Sequence, residues 1–277
     1  MNYIELTFSP LSDDKLQELL TAMLTTIGCD SFCEEEQSFK AYCPVEDYSG
    51  DALNDLLSEP KFASVNLISA DPLEDKNWNE IWESNYEPVL IDNRCLIRAP
   101  FHHDLPSAEY ELVIEPKMSF GTAHHETTSQ MIQLLLKSGV KGCSLLDMGC
   151  GTGILAILAY KMGATLVVAI DNDEWAYNNA IENIQLNGTE KVEVELGNAD
   201  SIGDRKFDVI IANINRNILL KDMEAYAKSL NKSSRLMLSG FYVSDLEAIK
   251  KSAESCGLRF EINSANNQWV AALFVKD

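Results

Sequence analysis

Leu145-Leu146-Asp147-Met148-Gly149-Cys150-Gly151-Thr152-Gly153-Ile154-Leu155-Ala156 carries one apolar run through three alternating glycines and straight into a second. Read locally, this is a strand, a tight turn and a helix. Glycine takes positive φ freely and, lacking Cβ, lets a ligand come close to the backbone. A dinucleotide site places its third glycine one residue later, as G-x-G-x-x-G, and that position is Ile154. The spacing points away from a nicotinamide or flavin dinucleotide. It fits the Rossmann-like domains that bind S-adenosylmethionine, which has no pyrophosphate to cradle. Gly149, Gly151 and Gly153 are the expected backbone contacts.

Outward from this turn, apolar strands alternate with helical periodicity. The pattern predicts strands over 144–148, 166–171, 191–196, 207–212 and 234–239, and helices over 125–138, 153–161, 173–187, 216–230 and 243–256. Such alternation implies an α/β fold with a mostly parallel sheet covered on both faces. The closing runs 258–263 and 269–275, joined by the short Ser264–Asn267 connection, imply an antiparallel edge hairpin. Two further strands are expected near 94–98 and 109–115. Asp171 ends the strand after the glycine turn, 22 residues beyond Gly149, where a carboxylate can accept from both ribose hydroxyls. Taken alone, it is equally an N-cap for the next helix. Asn213 ends a later strand at the same carboxyl edge, and it too reads as either a ligand contact or a helix cap. Many amino-group methyltransferases follow such an Asn with Pro-Pro and an aromatic residue. Here Ile214-Asn215-Arg216 follows, so no adjacent ring stacks on a planar base or amide, which argues against adenine and glutamine as targets and leaves an aliphatic amine open.

The first 70 residues read differently. Alternation over 2–8, an N-cap at Ser12, and Leu16, Leu19, Leu20, Met23 and Leu24 at helical spacing are followed by strands near 31–35 and 38–43, a helix near 51–58 and a strand near 61–69. The order β-α-β-β-α-β is that of a small ferredoxin-like α+β domain, here a substrate-recognition module without chemistry of its own. Residues 71–87 read as a linker helix on which Trp78, Ile81 and Trp82 share one face. Residues 88–277 form the cofactor-binding domain.

Charge narrows the partners. The 277 residues carry 22 Lys and Arg against 43 Asp and Glu, a net charge of −21, and residues 1–90 alone hold 19 acidic and four basic residues. Phosphate backbones and anionic membranes repel such a surface. The acidic bias reads as plain solubility or as a docking surface for a basic partner. Seven cysteines without a C-x-x-C pair read as reduced thiols, and four histidines in two adjacent pairs have no ligand spacing, so no metal is expected. No run of about 18 apolar residues exists and Met1-Asn2-Tyr3-Ile4-Glu5 does not open a signal peptide, so a soluble cytoplasmic protein is expected, a monomer by default.

Pro116-Lys117-Met118-Ser119-Phe120-Gly121-Thr122-Ala123-His124-His125-Glu126-Thr127-Thr128 closely resembles the F-G-T-G-x-H-x-T-T signature of the PrmA family, methyltransferases acting on lysines of large-subunit ribosomal protein eleven. The resemblance extends over nearly the whole chain, through Asp75-Lys76-Asn77-Trp78, the glycine turn, Asp171 and Asn213 in order. It implies a class I methyltransferase domain, S-adenosylmethionine as methyl donor, and a basic ribosomal protein held by the acidic first domain. Carried over by position, it assigns cofactor contacts to Thr128, Gly149, Asp171 and Asn213, and places Phe120 and Thr122 at the reaction site. Analogy with other methyltransferases adds Ala199 and Asp200 at the adenine edge, a stretch that otherwise reads as an ordinary turn. One departure is Ala123, where the family has Gly. If that backbone needs positive φ, alanine costs about 1 kcal/mol or more there.

The implied chemistry is in-line methyl transfer to a neutral amine, a lysine side chain or an N-terminal α-amine. Asn213 orients the amine, and no residue stands out as a base. Two alternatives share the cofactor site: a methyltransferase for another protein or small amine, and a non-catalytic S-adenosylmethionine-binding protein.

Overall fold

The computed structural model describes residues 3–11, 13–35, 38–72, 86–117 and 119–277. Backbone contacts divide the chain into two units, Met1–Asn85 and Tyr86–Asp277. The linker helix expected over 71–87, with Trp78, Ile81 and Trp82, falls almost wholly on residues outside those described.

In the first unit, β1 (Tyr3–Phe8) sends alternate side chains inward, so Leu6 and Phe8 are fully buried. It pairs antiparallel with β3 (Ser38–Pro44) and with β4 (Leu67–Pro72), while β2 (Ser31–Glu35) edges β3, giving the order β2-β3-β1-β4. Two helices supply the rest of the core: α1 (Asp14–Thr26) through Leu20 and Leu24, and α2 (Gly50–Leu57) through Leu53 and Leu56. The cap of α1 is Asp13, whose side chain accepts from the Lys15 N–H, rather than the expected Ser12. The last strand starts later than expected. Pro60, with its fixed φ, opens a 3₁₀ turn over Pro60–Phe62 that buries Phe62 before β4 begins.

The second unit opens with a small sheet of β5 (Val89–Ile91), β6 (Cys95–Arg98) and β7 (Tyr110–Val113), of which the sequence pattern indicated only the last two. There follow α3 (Glu126–Ser138), β8 (Ser144–Met148), α4 (Ile154–Lys161), β9 (Leu166–Asp171), α5 (Glu174–Leu186), β10 (Glu193–Leu196), β11 (Phe207–Asn213), α6 (Arg216–Lys228), β12 (Leu230–Tyr242), α7 (Leu246–Ser255), β13 (Leu258–Asn266) and β14 (Trp269–Lys276). Seven strands form one sheet in the order β10-β9-β8-β11-β12-β14-β13. The pairs from β10 to β12 are parallel, and β14 is antiparallel to both β12 and β13. This is the α/β fold with a mostly parallel sheet that the alternation implied.

Its central strands are buried on both faces. Leu145, Val167, Ala169, Val209 and Ile211 enter one core with α3 and α4, while Leu146, Val168, Ile170, Ile210 and Ala212 enter the other with α6 and α7. Continuous apolar runs, rather than alternating ones, follow from that double burial. The edge hairpin turns on Asn267 and Gln268, both at positive φ (45° and 71°), so its first strand runs three residues further than expected and its second one residue further. β12 is also longer than the expected 234–239 and shifts register against β14 between Leu238 and Phe241.

Ala123 does sit at positive φ, +67°, and is buried in the first core. The left-handed backbone costs an alanine about 1 kcal/mol, but its buried methyl returns about 0.8 kcal/mol, and a glycine there would lose more chain entropy on folding. Ala123→Gly is therefore expected to change the unfolding free energy by less than about 1 kcal/mol. A shift above about 2 kcal/mol in denaturant titration would show that one of these effects dominates.

Candidate active site

The strand order reverses between β8 and β11, and in open α/β sheets the loops diverging at such a point leave a crevice at the carboxyl ends. Here that crevice is a cavity of about 420 Å³, lined by Gly149 and Gly151 after β8, Asp171 to Asp173 after β9, and Asn213 to Asn215 at the end of β11. Phe120, His125 and Trp269 close another side. A smaller cavity of about 180 Å³ shares Gly149, Asp171, Asn172 and Ile214 with it and extends past Asn198 and Ala199. Among the described residues, the larger cavity is lined by two carboxylates, Asp171 and Asp173, and by no lysine or arginine. Such a lining suits a cation and not a phosphate.

The glycine turn is shaped by close packing. A Cβ on Gly151 would lie 2.2 Å from the Phe120 carbonyl oxygen, so only glycine lets the 119–124 loop lie against the turn. That loop is fastened there twice: the Thr152 N–H donates to Phe120 O at 3.0 Å, and the Thr152 hydroxyl to Gly121 O at 2.6 Å. The same absence of a side chain operates at Gly240, φ +87°, where a Cβ would meet Ile214 O at 2.3 Å.

Both ambiguous polar residues are relieved of capping. The N-cap of α5 is Asp173, accepting from the Trp175 and Ala176 N–H groups. Asp171 instead accepts from Gly151 N–H at 2.8 Å on Oδ2 and from Asp173 N–H at 3.0 Å on Oδ1, so each oxygen retains a lone pair toward the cavity. The N-cap of α6 is Asn215, accepting from Ile218 N–H. Asn213 Nδ2 donates to the Thr128 hydroxyl at 3.4 Å, and its Oδ1 is buried without a hydrogen-bond partner. An unpaired buried acceptor costs about 1–3 kcal/mol, and this one lies on a residue that lines the cavity.

Beneath the turn, Asp147 is wholly buried, with Oδ2 accepting from Ala156 N–H at 3.1 Å and Oδ1 unpartnered. Burial, with the Asp171 charge nearby, pushes its carboxyl up to about 7 despite the Ala156 hydrogen bond. Burial likewise holds the Cys150 thiol well above its ordinary value, which disfavours the thiolate.

Residues 13–277 match the family model of ribosomal protein L11 methyltransferase (PrmA). The chain belongs to this family. It is 45% identical over 280 residues to the ribosomal protein L11 methyltransferase of Bacteroides fragilis, covering 99% of this chain and 100% of that protein. It is 44% identical over 286 residues to that of Porphyromonas gingivalis, covering 100% and 99%. Among solved structures, the ribosomal protein L11 methylase of Lactobacillus delbrueckii subsp. bulgaricus superposes with a TM-score of 0.65 at 26% identity, over 69% of this chain and all of that one.

Of the residues singled out in the sequence of this family member, Phe120, Gly149, Gly151, Asp171 and Asn213 line the larger cavity. Thr128 is buried behind Asn213 and touches it. Gly153 caps α4 at φ +77° with Ala180 against it. The Thr122 hydroxyl faces the His124 ring, and Asp200 is exposed beside the smaller cavity, whose wall is formed by Asn198 and Ala199. Sequence reasoning missed the aromatic wall. Phe120, His125, Trp269 and Tyr242 follow one another with ring centroids 5.1, 4.9 and 4.1 Å apart. Phe120 and Trp269 line the cavity together with Asn213, although no ring follows Asn213 in the sequence. Among the described residues, no group of three or more His, Cys, Asp or Glu could hold a metal, and no helix is long and apolar enough to cross a membrane.

Proposed function

We propose that this chain transfers methyl groups from S-adenosylmethionine to amino groups of ribosomal protein L11, lysine side chains and the N-terminal α-amine. The observation that carries this reading is Asn213, released from capping and left with an unpaired buried oxygen at the cavity. When bound, S-adenosylmethionine supplies a methyl already activated on a sulfonium. The chain's residues suit it: the open lone pairs of Asp171 accept ribose hydroxyls, Gly149 and Gly151 admit the ligand to the backbone, and no lysine or arginine among the described lining residues opposes its charge. Gly153 supports the turn from the start of α4, and Asn198 and Ala199, with Asp200 next to them, form the adenine edge.

The rest is positioning. Asn213 Oδ1 accepts an N–H of the acceptor and so aims its lone pair, while Thr128 holds the amide in place. Phe120 and Trp269 offer ring faces to the ammonium as it enters. At an ordinary lysine pKa of about 10.4, only roughly 0.04% of the amine is neutral at pH 7. Burial and a neighbouring positive charge both raise that fraction, so no strong base is required. Thr122 supports the signature loop through its contact with His124.

The first unit reads as a ferredoxin-like recognition domain, supported by its β-α-β-β-α-β order and all-antiparallel β2-β3-β1-β4 sheet. The acidic excess over residues 1–90 favours a basic ribosomal protein docked there, with 71–87 as the connection and the enzyme working in the cytoplasm. Labelled methyl transfer to a ribosome-free extract and to intact ribosomes, followed by mass spectrometry, tests the substrate; label on a different protein would replace it. Residues 86–277 alone are expected to keep cofactor affinity and lose transfer to the ribosomal protein. Undiminished protein methylation by that fragment would remove the docking role.

A further inference from the structure

Beyond the methyl-transfer cavity, two more cavities follow α5 in series. One of about 620 Å³ shares Ser119, Asp173 and Trp175 with the methyl-transfer cavity. The next, about 470 Å³, shares Lys117 and Glu182 with it and ends at Leu186. Trp175, Asn179, Glu182 and Leu186 recur at the spacing that puts residues on one helix face, and this stripe forms the groove's side along α5. From Asp173 to Leu186 the helix rises about 20 Å, the span of about six residues of extended chain. The stripe's two apolar members, at either end, are exposed, Trp175 to 81% and Leu186 to 47%.

Asn179 indicates what covers it. It is 2% exposed, yet neither Nδ2 nor Oδ1 has a hydrogen-bond partner. It belongs to a row with Asn183 and Asn187, each four residues on, and both of those grip peptide groups. Asn187 accepts from Val113 N–H and donates to Val113 O. Asn183 accepts from Glu115 N–H and donates to Thr152 O. The remaining amide in the row, Asn179, has the same donor and acceptor and, among the described residues, no peptide group to hold. The groove's charged residues are Asp173, Glu182 and Glu115 against Lys117, which is paired with Glu182.

We propose that this groove is an exosite for the extended, basic segment of the protein substrate that flanks the acceptor amine, with Asn179 pairing one of its peptide groups. The inference rests on the protein-substrate reading above and extends it. Trp175, at the junction of two cavities, covers the chain as it leaves the reaction site, and Leu186 meets its far end.

Steady-state kinetics of the full-length enzyme with the whole ribosomal protein, and with a three-residue peptide carrying the same amine, test it. Asn179→Ala is expected to raise KM for the whole protein about threefold to tenfold. The rate on the short peptide, kcat and cofactor affinity should not change. Leu186→Ser is expected to act in the same direction. Because the alanine variant removes an unpaired buried amide from a helix, its melting temperature should hold or rise. An unchanged KM for the whole protein would overturn the proposal. So would an equal loss on the short peptide or weakened cofactor binding, either of which would make Asn179 part of the reaction site, and so would a lowered melting temperature. Failure of the unaltered enzyme to methylate the ribosomal protein at all is a different result, and it would count against the substrate reading itself.

Discussion

Asn213→Ala is expected to lower kcat by about 10²- to 10³-fold, the usual cost of removing one preorganised polar contact at a reacting centre. The side chain has no structural duty that would confuse the result. Asn215 caps α6, and Asn213 makes a single side-chain hydrogen bond, to Thr128. Its loss removes an unpaired buried oxygen, so stability should change little. Asn213→Asp keeps an acceptor at the same place and is expected to retain more activity than the alanine variant. Thr128→Val leaves Asn213 present but unheld, and a loss of roughly tenfold in kcat is expected, with substrate KM nearly constant. Single-turnover rates with saturating cofactor separate these effects from binding. An alanine variant retaining more than a tenth of the rate would show that the acceptor amine is oriented elsewhere.

What could be read from the chain was what is local. Gly149 to Gly153, Asp171 and Asn213 each sit where a strand meets a turn, and a strand end is set by the few residues around it. Their ambiguity was local too. Asp or Asn after a strand can cap the next helix, and only the structure shows that Asp173 and Asn215, each two residues on, take that work. The aromatic wall escaped because it is assembled by pairing at long range. Trp269 starts β14, and β14 is seated against β12 by an antiparallel register that no local pattern encodes. The strand expected over 234–239 stops short of Gly240 because glycine weakens strand periodicity, whereas β12 continues through it, shifting register between Leu238 and Phe241, with Ile214 close against the glycine. Asn179 gave no signal at all, since an asparagine on a helix is ordinary until its amide is found buried and unpaired.

Asp147→Asn is expected to abolish a pH-dependent loss of stability that the unaltered protein shows between about pH 4 and pH 7. The carboxyl titrates at about 7 in the folded chain and at about 3.9 when unfolded. The folded state therefore binds the proton more tightly, and unfolding releases it throughout that window. Stability contributed by the protonated acid is complete below about pH 4, falls as pH rises, and levels off above about pH 7. Between pH 5 and pH 8 the slope amounts to about 2–3 kcal/mol. Asparagine keeps the shape, and its oxygen can still accept from Ala156 N–H, but it has no charge to bury. The difference between variant and unaltered protein should thus be small below about pH 4 and grow by about 2–3 kcal/mol in the variant's favour from pH 5 to pH 8, read by denaturant titration at each pH. Parallel stability curves would mean that Asp147 ionises as freely as an exposed carboxyl. The Asp171 charge is one cause of the raised value, so Asp171→Asn should draw the Asp147 midpoint downward and narrow the window. That coupling ties a buried acid beneath the glycine turn to the carboxylate at the cavity's edge: a cation drawn to Asp171 weakens the repulsion Asp147 experiences and makes it easier to ionise.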